Sequence, residues 1–450
     1  MQSRIYLGVF LLSAAIFQSC SKKDSTPPPG PAPVPGCATN TSPANGAFVT
    51  GGTSLTLSWT AVNGATGYDV YWGSLPNPAT VLANNVTGTS YTFTLPVFQN
   101  SQALYWYVKP KNNNGSSNSC HLTSTLFTVS VIDAPPPFGY YVVGYFPAYR
   151  NLADVPDVKF RMTNCVVYAF YAVNASGGLS APSSPAATLA AVRDKARANN
   201  AKVFLGINDG SGDGRTHFRN MAASAAGRNN FIKEVVNTVR TNNLDGVDVD
   251  WEFPTTADGT DATFTLLIKE LSDSLHRDGR YYLSAAITAG KYAGGIRDAI
   301  RNEIFPYVDF FNVMAYDDFS TTVPYRHHSD YTLATVCLNY WLNTRGMPAG
   351  KCVLGLPAYG RPSGITQSNT VLSYKAILAQ GGNPQYDSAV VTAGGFTNYT
   401  IYYNGQYTVK RKAKLARDIA AGVMMWEKWQ DDPGINSLLK AACDTVGRLY

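Results

Sequence analysis

The sequence predicts an α/β protein, a (β/α)8 barrel preceded by a small all-β sandwich, from two patterns that divide the chain. Between about residues 37 and 132, short runs of alternating apolar and polar residues are separated by Asn, Gly and Pro clusters. This pattern is typical of antiparallel strands in a sandwich. From residue 138 to residue 450, apolar strand-like segments alternate with amphipathic helix-like segments. That alternation is typical of repeated β–α units around a parallel sheet.

Residues 1–19 predict a segment that directs export. Arg4 supplies a positive charge, and the apolar run 5–17 that follows is too short to span a membrane comfortably. Cys20 follows in the string Gln-Ser-Cys-Ser-Lys, which resembles a bacterial lipobox, where the cysteine becomes lipidated. An ordinary secretory signal with an incidental cysteine is the alternative. We expect an exported protein that is lipid-anchored to the bacterial cell envelope, at the outer membrane or cell surface, or secreted.

The composition indicates globular domains behind a tether. Residues 20–36 are rich in proline and predict an extended spacer without a core of its own. Of the 450 residues, 45% are hydrophobic and 15% are charged, with a formal net charge of +6, which excludes a disordered chain. One tight basic cluster is interpreted as a solvated loop or helix face: Lys410, Arg411, Lys412 and Lys414. We therefore expect no nucleic-acid partner and a membrane contact only through Cys20.

The first domain, predicted at 37–132, contains three alternating strings with aromatic residues, at 55–59, 67–72 and 104–108. Together they resemble a fibronectin type III domain. We interpret the aromatic residues as core and strand-packing residues rather than as a sugar-binding platform. A spacer or accessory role follows from that interpretation.

Six cysteines follow Cys20 in a compartment where disulfides form. Cys37 and Cys120 bracket the first domain and predict a disulfide between them. The other four lie in the second region, where two are interpreted as packed thiols and two are unassigned. The packed thiols are Cys165 and Cys352, and the unassigned residues are Cys337 and Cys443.

The second region, which follows a Pro-rich boundary at 134–137, predicts eight β–α repeats. Helical patterns lie between the strands, for example at 230–241, where Phe231, Val235 and Val239 fall on one face. A TIM barrel is expected, because the rival doubly wound sheet lacks a Gly-rich phosphate fingerprint that would open a helix. The eight strand candidates are 140–146, 165–172, 202–207, 244–253, 281–288, 308–315, 352–357 and 422–426.

The fourth strand candidate carries three acids on one face. Side chains alternate along a strand, so Asp248, Asp250 and Glu252 face the barrel interior while the apolar residues pack under the helices. Successive carboxylates on that face lie about 6–7 Å apart, and they cannot all ionise cheaply in a low-dielectric interior. Glu252 stands at the C-terminal end, where barrel active sites form, as a natural general acid. A buried carboxylate network or a cation site is the alternative.

The string Asp245-x-x-Asp248-x-Asp250-x-Glu252 resembles the signature of glycoside hydrolase family 18, the chitinase family. Strings on other strands agree, and the resemblance covers about residues 138–450. They are Tyr168-Ala169-Phe170, Met314-Ala315-Tyr316-Asp317, Gly355-Leu356-Pro357-Ala358-Tyr359-Gly360-Arg361 and Gly422-Val423-Met424-Met425-Trp426. The resemblance implies substrate-assisted, retaining hydrolysis of β-1,4 linkages in chitin or N-acetylglucosamine oligomers. It implies no metal and no organic cofactor.

The resemblance also implies a role for each site residue. Glu252 would protonate the glycosidic oxygen while the substrate's acetamido oxygen attacks the anomeric carbon, giving an oxazolinium ion. Asp250 would orient the acetamido N–H and share a proton with Asp248, and Tyr316 would hydrogen-bond the acetamido oxygen. Further substrate-binding residues would be Asp317, Trp426, Met314, Tyr145, Phe170 and Arg361, with Trp426 under the reacting sugar. Asp245 and Gly246 would be structural. A plain packing role is the alternative for Tyr316, Trp426 and Met314.

Two departures from the family pattern bear on the site. The third strand ends in the string 206–212, Gly-Ile-Asn-Asp-Gly-Ser-Gly, where the family has Ser-x-Gly-Gly. The segment 361–422 is short, so we expect no full α+β module there and a shallow cleft that favours endo cleavage. Four histidines show no metal-ligand spacing and are interpreted as surface or loop residues: His217, His276, His327 and His328.

Two other functions are open at this point. An endo-β-N-acetylglucosaminidase acting on N-glycans is one, although Trp251 and Met314 favour a chitinase. An inactive sugar-binding lectin is the other, but such relatives lose an acid of the motif and this chain keeps them all. We expect a monomer whose partner is chitin or another polysaccharide that contains N-acetylglucosamine.

Overall fold

The computed structural model describes residues 33–51, 54–96, 102–130, 135–365 and 367–450. The predicted signal at 1–19, Cys20 and most of the predicted tether lie outside these residues. The chain forms two compact units, of which the first is all-β and the second contains the barrel.

The first unit consists of two antiparallel sheets, with strand orders β1-β3-β6 and β2-β9-β7-β4-β5, and β8 paired to β7. Its strands are β1 (Asn40–Ser42), β2 (Ala47–Thr50), β3 (Ser54–Trp59), β4 (Gly67–Gly73), β5 (Thr80–Val86), β6 (Ser90–Thr94), β7 (Gln102–Asn112), β8 (Gly115–Ser116) and β9 (Thr125–Ser130). Alternation buries Trp59, Val70 and Trp106, so two of the aromatic residues lie in the core, whereas Tyr71 and Trp72 are half-buried. A disulfide joins Cys37 to Cys120, as their positions predict.

The second unit is a closed parallel barrel, which confirms the predicted fold class. Its strands are β10 (Tyr141–Pro147), β11 (Cys165–Val173), β12 (Leu179–Ser180), β13 (Lys202–Asp209), β14 (Gly246–Asp250), β15 (Tyr282–Thr288), β16 (Phe310–Met314), β17 (Cys352–Pro357), β18 (Tyr359–Pro362), β19 (Leu372–Ser373), β20 (Ser388–Ala393), β21 (Phe396–Tyr402) and β22 (Gly422–Trp426). The barrel order is β10-β11-β13-β14-β15-β16-β17-β22, and β22 pairs with β10 to close the ring. Each barrel strand overlaps one predicted strand.

Helices cover the outside of the barrel. They are α1 (Asp157–Met162), α2 (Leu189–Ala198), α3 (Thr216–Ala222), α4 (Ala225–Thr241), α5 (Thr260–Leu275), α6 (Gly295–Asp298), α7 (Tyr331–Leu338), α8 (Tyr374–Ala379), α9 (Gln406–Ile419) and α10 (Leu438–Val446). In α4, Ser224 caps the first turn by accepting from the Gly227 N–H, and Phe231, Val235 and Val239 are buried on one face. The helix begins five residues before the predicted start at residue 230.

The prediction that the basic cluster is solvated is wrong for one of its four residues. On α9, Lys410, Arg411 and Lys414 are exposed, whereas Lys412 is fully buried. At helical spacing Lys412 shares the inward face with Val409, Ala413 and Ala416, which are buried as well.

The barrel interior is filled in layers along its axis. An aromatic cluster closes the end at which the strands begin: Phe138, Tyr141, Phe204, Tyr282 and Phe310. A polar layer lies above it, and the opposite end opens into a cavity at the C-terminal ends of the strands. The unfilled end is therefore where barrel enzymes place their sites.

The segment between β17 and α9 is more ordered than its length led us to expect. It forms a four-stranded antiparallel sheet, in the order β19-β18-β21-β20, together with the short helix α8. A compact α+β module is thus present where no full module was predicted. It carries Tyr359 and Arg361 on β18 toward the barrel mouth.

The remaining cysteines of the described chain are free and buried: Cys165, Cys337, Cys352 and Cys443. In the parts of the chain that the structure covers, no helix is long and apolar enough to cross a membrane.

Candidate active site

A cavity of about 140 Å³ opens at the C-terminal ends of the barrel strands. The alternation of β14 aims Asp250 into it, and Glu252 follows just after the strand ends. The residues that line the cavity are Tyr145, Asp250, Glu252, Ala286, Met314, Tyr316, Asp317, Tyr359 and Trp426. The sequence motif and the cavity therefore coincide.

Asp248 lies beneath the cavity in the polar layer of the barrel and is completely buried. Its carboxylate accepts hydrogen bonds from Tyr145 Oη at 2.6 Å, Ser284 Oγ at 2.5 Å and Asn312 Nδ2 at 3.1 Å. Burial raises the pKa of Asp248, and the bonds from Ser284, Tyr145 and Asn312 act against that rise. Three strands besides β14 thus hold this acid.

Asp250 has one carboxylate oxygen, Oδ1, that is buried and has no hydrogen-bond partner in the described chain. Burial raises the pKa of Asp250 well above its usual range, and the charges of Glu252 and Asp248 raise it further. Because the side chain lines the cavity, a ligand there with an N–H or O–H donor would meet the carboxyl group of Asp250.

Glu252 stands at the mouth, with its side chain exposed toward the opening. The surrounding protein still desolvates the carboxyl group, and this desolvation raises the pKa of Glu252, with a further contribution from the charge of Asp317. A raised pKa keeps a carboxylic acid protonated at the pH where it must donate a proton.

Tyr316 follows β16 and faces the acids. Burial raises the pKa of Tyr316 well above its usual value, as do the nearby carboxylates, first among them Asp250, so the phenol is a hydrogen-bond donor. Gly355 on β17 leaves room for the ring, since a Cβ there would lie 2.9 Å from Tyr316 Cε1 and 2.4 Å from the Val313 carbonyl oxygen.

Asp317 adopts a left-handed backbone conformation, with φ at 63°, and its carboxylate binds several partners. Tyr359 Oη donates to Oδ1 at 2.6 Å, and Arg361 Nε donates to the same oxygen at 2.9 Å. His328 Nδ1 lies 3.5 Å from Oδ1, which is a weaker contact. Although burial acts in the opposite direction, His328, Arg361 and Tyr359 lower the pKa of Asp317, so it remains an anion.

Aromatic rings form one wall of the cavity. Trp426 stacks against Phe170 with ring centroids 5.7 Å apart, and its centroid lies 5.4 Å from that of Tyr145. Met314 lines the cavity as well. An apolar wall beside a row of acids suits a sugar ring, which has apolar faces and a polar rim.

The structure brings most of the predicted site residues together. Phe170 and Arg361 do not line the cavity themselves but contact Trp426 and Asp317, which do. Asp245 lies at the opposite end of the barrel, where its Oδ2 accepts from the Val203 N–H at 2.9 Å. Gly246 approaches Tyr282 so closely that a Cβ would lie 2.6 Å from its carbonyl oxygen.

Sequence reasoning missed several residues that hold the site: Ser284, Asn312, Tyr359 and His328. Tyr359 lies within a quoted string, but Ser284 and Asn312 are 36 and 64 positions from Asp248, and no local pattern connects them to it. The interpretation of His276 as a surface or loop residue is wrong, since it is buried in a helical turn that follows α5. His328 lies in a loop, as predicted, but it is buried there. His276 contacts Asp309 instead of solvent.

A metal site was not expected. Within the ranges the structure describes, no group of three or more His, Cys, Asp or Glu side chains is arranged to hold a metal ion.

Comparisons with known proteins match this geometry. The family model of glycosyl hydrolases family 18 matches residues 141–431. The chain is 27% identical to Endochitinase 1 of Metarhizium robertsii over 282 residues, 55% of this chain and 66% of that protein. It is 34% identical to a probable endochitinase of Caenorhabditis elegans over 283 residues, 53% of this chain and 44% of that protein. The chain thus spans no more than about two thirds of these relatives.

Solved structures share the fold. The GH18 chitinase ChiB of Flavobacterium johnsoniae has a TM-score of 0.58 at 24% identity, and the alignment covers 68% of this chain and 94% of that one. A class V chitinase of Cycas revoluta, solved as a mutant in complex with (GlcNAc)3, also has a TM-score of 0.58 at 24% identity, covering 68% and 99%. At these identities the likeness establishes the fold.

Proposed function

The chain belongs to glycosyl hydrolases family 18, and from this premise we propose that its barrel hydrolyses β-1,4 linkages of chitin or N-acetylglucosamine oligomers. The reaction is substrate-assisted and retaining, with Glu252 as acid and base. The relatives named as chitinases, and the neighbour in complex with (GlcNAc)3, support this choice of substrate.

One observation carries the proposal, namely that Asp250 lines the cavity and that its buried Oδ1 has no hydrogen-bond partner in the described chain. An acetamido N–H would donate to this carboxyl group, and a hydrogen bond there offsets the cost of a buried acid with a free oxygen. A sugar with a hydroxyl group in place of the acetamide could still donate, but it would lack the carbonyl oxygen that acts as nucleophile.

In the first step, Glu252 gives its proton to the glycosidic oxygen and the bond from that oxygen to the anomeric carbon breaks. The acetamido oxygen forms a bond to the same carbon, and the ring becomes an oxazolinium ion. Asp250 stabilises the positive charge. Because burial and the charge of Asp248 raise the pKa of Asp250, the two carboxyl groups hold one proton between them. In the second step, water attacks the anomeric carbon, the bond from the acetamido oxygen to that carbon breaks, and the acetamide is restored. The water proton goes to Glu252, and the configuration is retained.

Neighbouring groups position the sugar for these steps. Tyr316, held neutral by its environment, donates to the acetamido oxygen and directs it toward the anomeric carbon. Trp426 stacks beneath the sugar, supported by Phe170. Asp317 remains an anion beside Tyr359 and Arg361, and its carboxylate accepts hydrogen bonds from hydroxyl groups of the substrate.

A groove of about 290 Å³ continues from the cavity along Phe253, Thr288 and Tyr292, and shares Glu252 with it. A polymer that runs through this groove would extend on the leaving-group side of Glu252. This supports endo cleavage, and a product pattern dominated by dimers from the outset would count against it.

The test is to incubate the chain from residue 21 onward with N-acetylglucosamine oligomers and read the products by mass. A Glu252→Gln variant is expected to lose about 100-fold or more of the rate, whereas a Glu303→Gln variant, altered at an exposed glutamate, keeps it. No cleavage by the folded parent chain would overturn the proposal, and N-glycan substrates would be tested next.

In this proposal, the parts of the chain before the barrel anchor the protein to the cell envelope and hold the barrel at a distance from the anchor. Cys20 is lipidated after export and anchors the protein to the bacterial cell envelope. The all-β unit is an accessory domain of the fibronectin type III kind, and the protein acts as a monomer. Mass analysis of the mature N-terminus tests the anchor, because a Cys20→Ser variant would lack the mass of the lipid.

A further inference from the structure

Lys412 is a buried lysine outside the row of catalytic acids. It lies on α9, and its ammonium group donates three hydrogen bonds: to the Ser329 carbonyl oxygen at 2.7 Å, to Ser329 Oγ at 2.8 Å and to Asn404 Oδ1 at 2.6 Å. All three acceptors are neutral. Burying an ammonium group without a contacting carboxylate is costly, so the arrangement calls for a reason beyond packing.

The segment that Lys412 holds, residues 327–329, is fastened to the catalytic segment at three points. Ser329 Oγ donates to the Ala315 carbonyl oxygen at 2.7 Å. The Asp318 N–H donates to the His328 carbonyl oxygen at 2.9 Å, and His328 Nδ1 lies 3.5 Å from Asp317 Oδ1. These contacts flank Tyr316 on both sides.

The same segment is fixed internally by His327. The Ser329 N–H donates to His327 Nδ1 at 2.9 Å, so Nε2 carries the proton that the ring donates to the Tyr403 carbonyl oxygen at 2.6 Å. Burial, with the neighbouring His328 and Lys412, lowers the pKa of His327 to about 3. The ring is therefore neutral and stacks on His328, with centroids 5.6 Å apart.

We propose that Lys412 is a positioning residue of the active site, which holds residues 327–329 and through them sets Tyr316 and Asp317 against the substrate. The role rests on the proposed function, because it matters for catalysis only if those two residues bind sugar. A lysine suits the place because three acceptors converge there and an ammonium group has three donors.

Charged groups nearby do not replace these contacts. Burial lowers the pKa of Lys412 to about 7, against the smaller opposing effects of Asp330, Asp387 and Cys337. None of these three groups forms a hydrogen bond with the ammonium group, whose partners are Ser329 and Asn404.

The test is a double-mutant cycle on cleavage of N-acetylglucosamine oligomers. Lys412→Met keeps the length of the side chain and removes the donors, and we expect kcat to fall about 10- to 100-fold through misplacement of catalytic groups. In a background that carries both Tyr316→Phe and Asp317→Ala, the same change should lower kcat by less than about threefold, because residues that act through each other are not additive.

Lys351→Met is the matched control. Lys351 also donates to neutral oxygens, the Phe305, Pro306 and Val308 carbonyl groups, but at the end of the barrel opposite the cavity. It should leave kcat within about twofold in both backgrounds. Equal losses for Lys412→Met in the two backgrounds, or no more loss than for Lys351→Met, would overturn the proposal.

Two additions cover the case in which Lys412→Met does not fold or the parent chain does not cleave the substrate. They are a second variant, Ser329→Ala, and a measurement of amide exchange, which does not depend on activity. Ser329→Ala removes the link between Lys412 and Ala315 with a smaller change. Amide exchange of the peptide 314–330 should be at least about tenfold faster in either variant than in Lys351→Met. Unchanged amide exchange in both variants would refute the positioning role of Lys412. Faster exchange in the variants together with an inactive parent chain would refute only the proposed function.

Discussion

Replacing Tyr145 by Phe removes one hydroxyl group from the polar layer and leaves the rest of the cavity intact. The ring keeps its place beside Trp426 and Phe170, while Asp248 loses the hydrogen bond that Tyr145 Oη donates at 2.6 Å. Ser284 and Asn312 still donate to the other carboxylate oxygen. Asn312 Nδ2 loses its 3.0 Å hydrogen bond to Tyr145 Oη but keeps the one to Asp248. The change therefore acts chiefly on the protonation of one buried acid.

The size of the effect follows from the charge on the acceptor. A hydrogen bond to an ionised group contributes about 1.5–3 kcal/mol, and one pKa unit corresponds to about 1.4 kcal/mol. The bond from Tyr145 lowers the pKa of Asp248 against the effect of burial, so its removal raises that pKa. With two donors left to share the charge, we expect a rise of about one unit.

The pH dependence of kcat reports this rise. In the proposed reaction Asp248 and Asp250 share one proton, and a second proton removes the negative charge that stabilises the oxazolinium ion. When Asp248 holds its proton more tightly, the second proton binds at higher pH. The acid limb of the profile for Tyr145→Phe should thus move up by about one unit, with a smaller loss at neutral pH.

Tyr141→Phe provides the control, because Tyr141 lies on the same strand but packs at the opposite end of the barrel, against Phe138 and Phe310. Both profiles would be measured on one N-acetylglucosamine oligomer substrate at constant ionic strength. An acid limb that moves down in Tyr145→Phe, or the same upward shift in Tyr141→Phe, would refute the reasoning.

Two stability predictions follow from buried groups away from the cavity. Changing both Cys37 and Cys120 to Ser removes a crosslink across 83 positions. The unfolding free energy of the all-β unit should fall by about 2–5 kcal/mol. Denaturant-dependent hydrogen exchange in β3 and β7 measures this loss, and unchanged exchange would contradict it. Lys428 is buried against Phe160 and donates to Thr163 Oγ1 at 3.0 Å, and burial lowers its pKa well below the usual value. The unfolded chain therefore binds a proton that the folded chain releases, so stability rises with pH between the two pKa values. Lys428→Met should flatten that rise in urea unfolding, and an unchanged slope would contradict the burial argument.

The parts of the fold that could be predicted are those that periodicity encodes locally. The barrel strands are 5 to 9 residues long and most are largely apolar, with the acid-bearing β14 as the exception. Apolar runs of that length between helical patterns have few other interpretations. The alternation within β14 also gave the correct faces, since Trp251 packs outward on Phe218 with ring centroids 5.0 Å apart, while Asp250 lines the cavity.

Burial of charged and polar side chains could not be predicted in the same way. The basic cluster that includes Lys412 has the composition of a solvated face. Which of its residues is buried depends on which side of α9 packs against the barrel, and the local sequence does not determine this. The strands of the small module between β17 and α9 were not predicted for a similar reason. Strands of two to seven residues give weak patterns, and their pairing is non-local.

The acids of β14 show where local sequence stops being informative about chemistry. The spacing of Asp248, Asp250 and Glu252 fixes which side of the strand they occupy, but their protonation depends on what surrounds each one. Asp248 has three donors from other strands, whereas Asp250 Oδ1 has none in the described chain. Barrel closure therefore makes two neighbouring carboxyl groups unequal, because one is already satisfied by protein donors and the other is not. That inequality is a property of the ring of strands, and in the proposed reaction it lets a buried row of like charges hold first a proton and then a cationic intermediate.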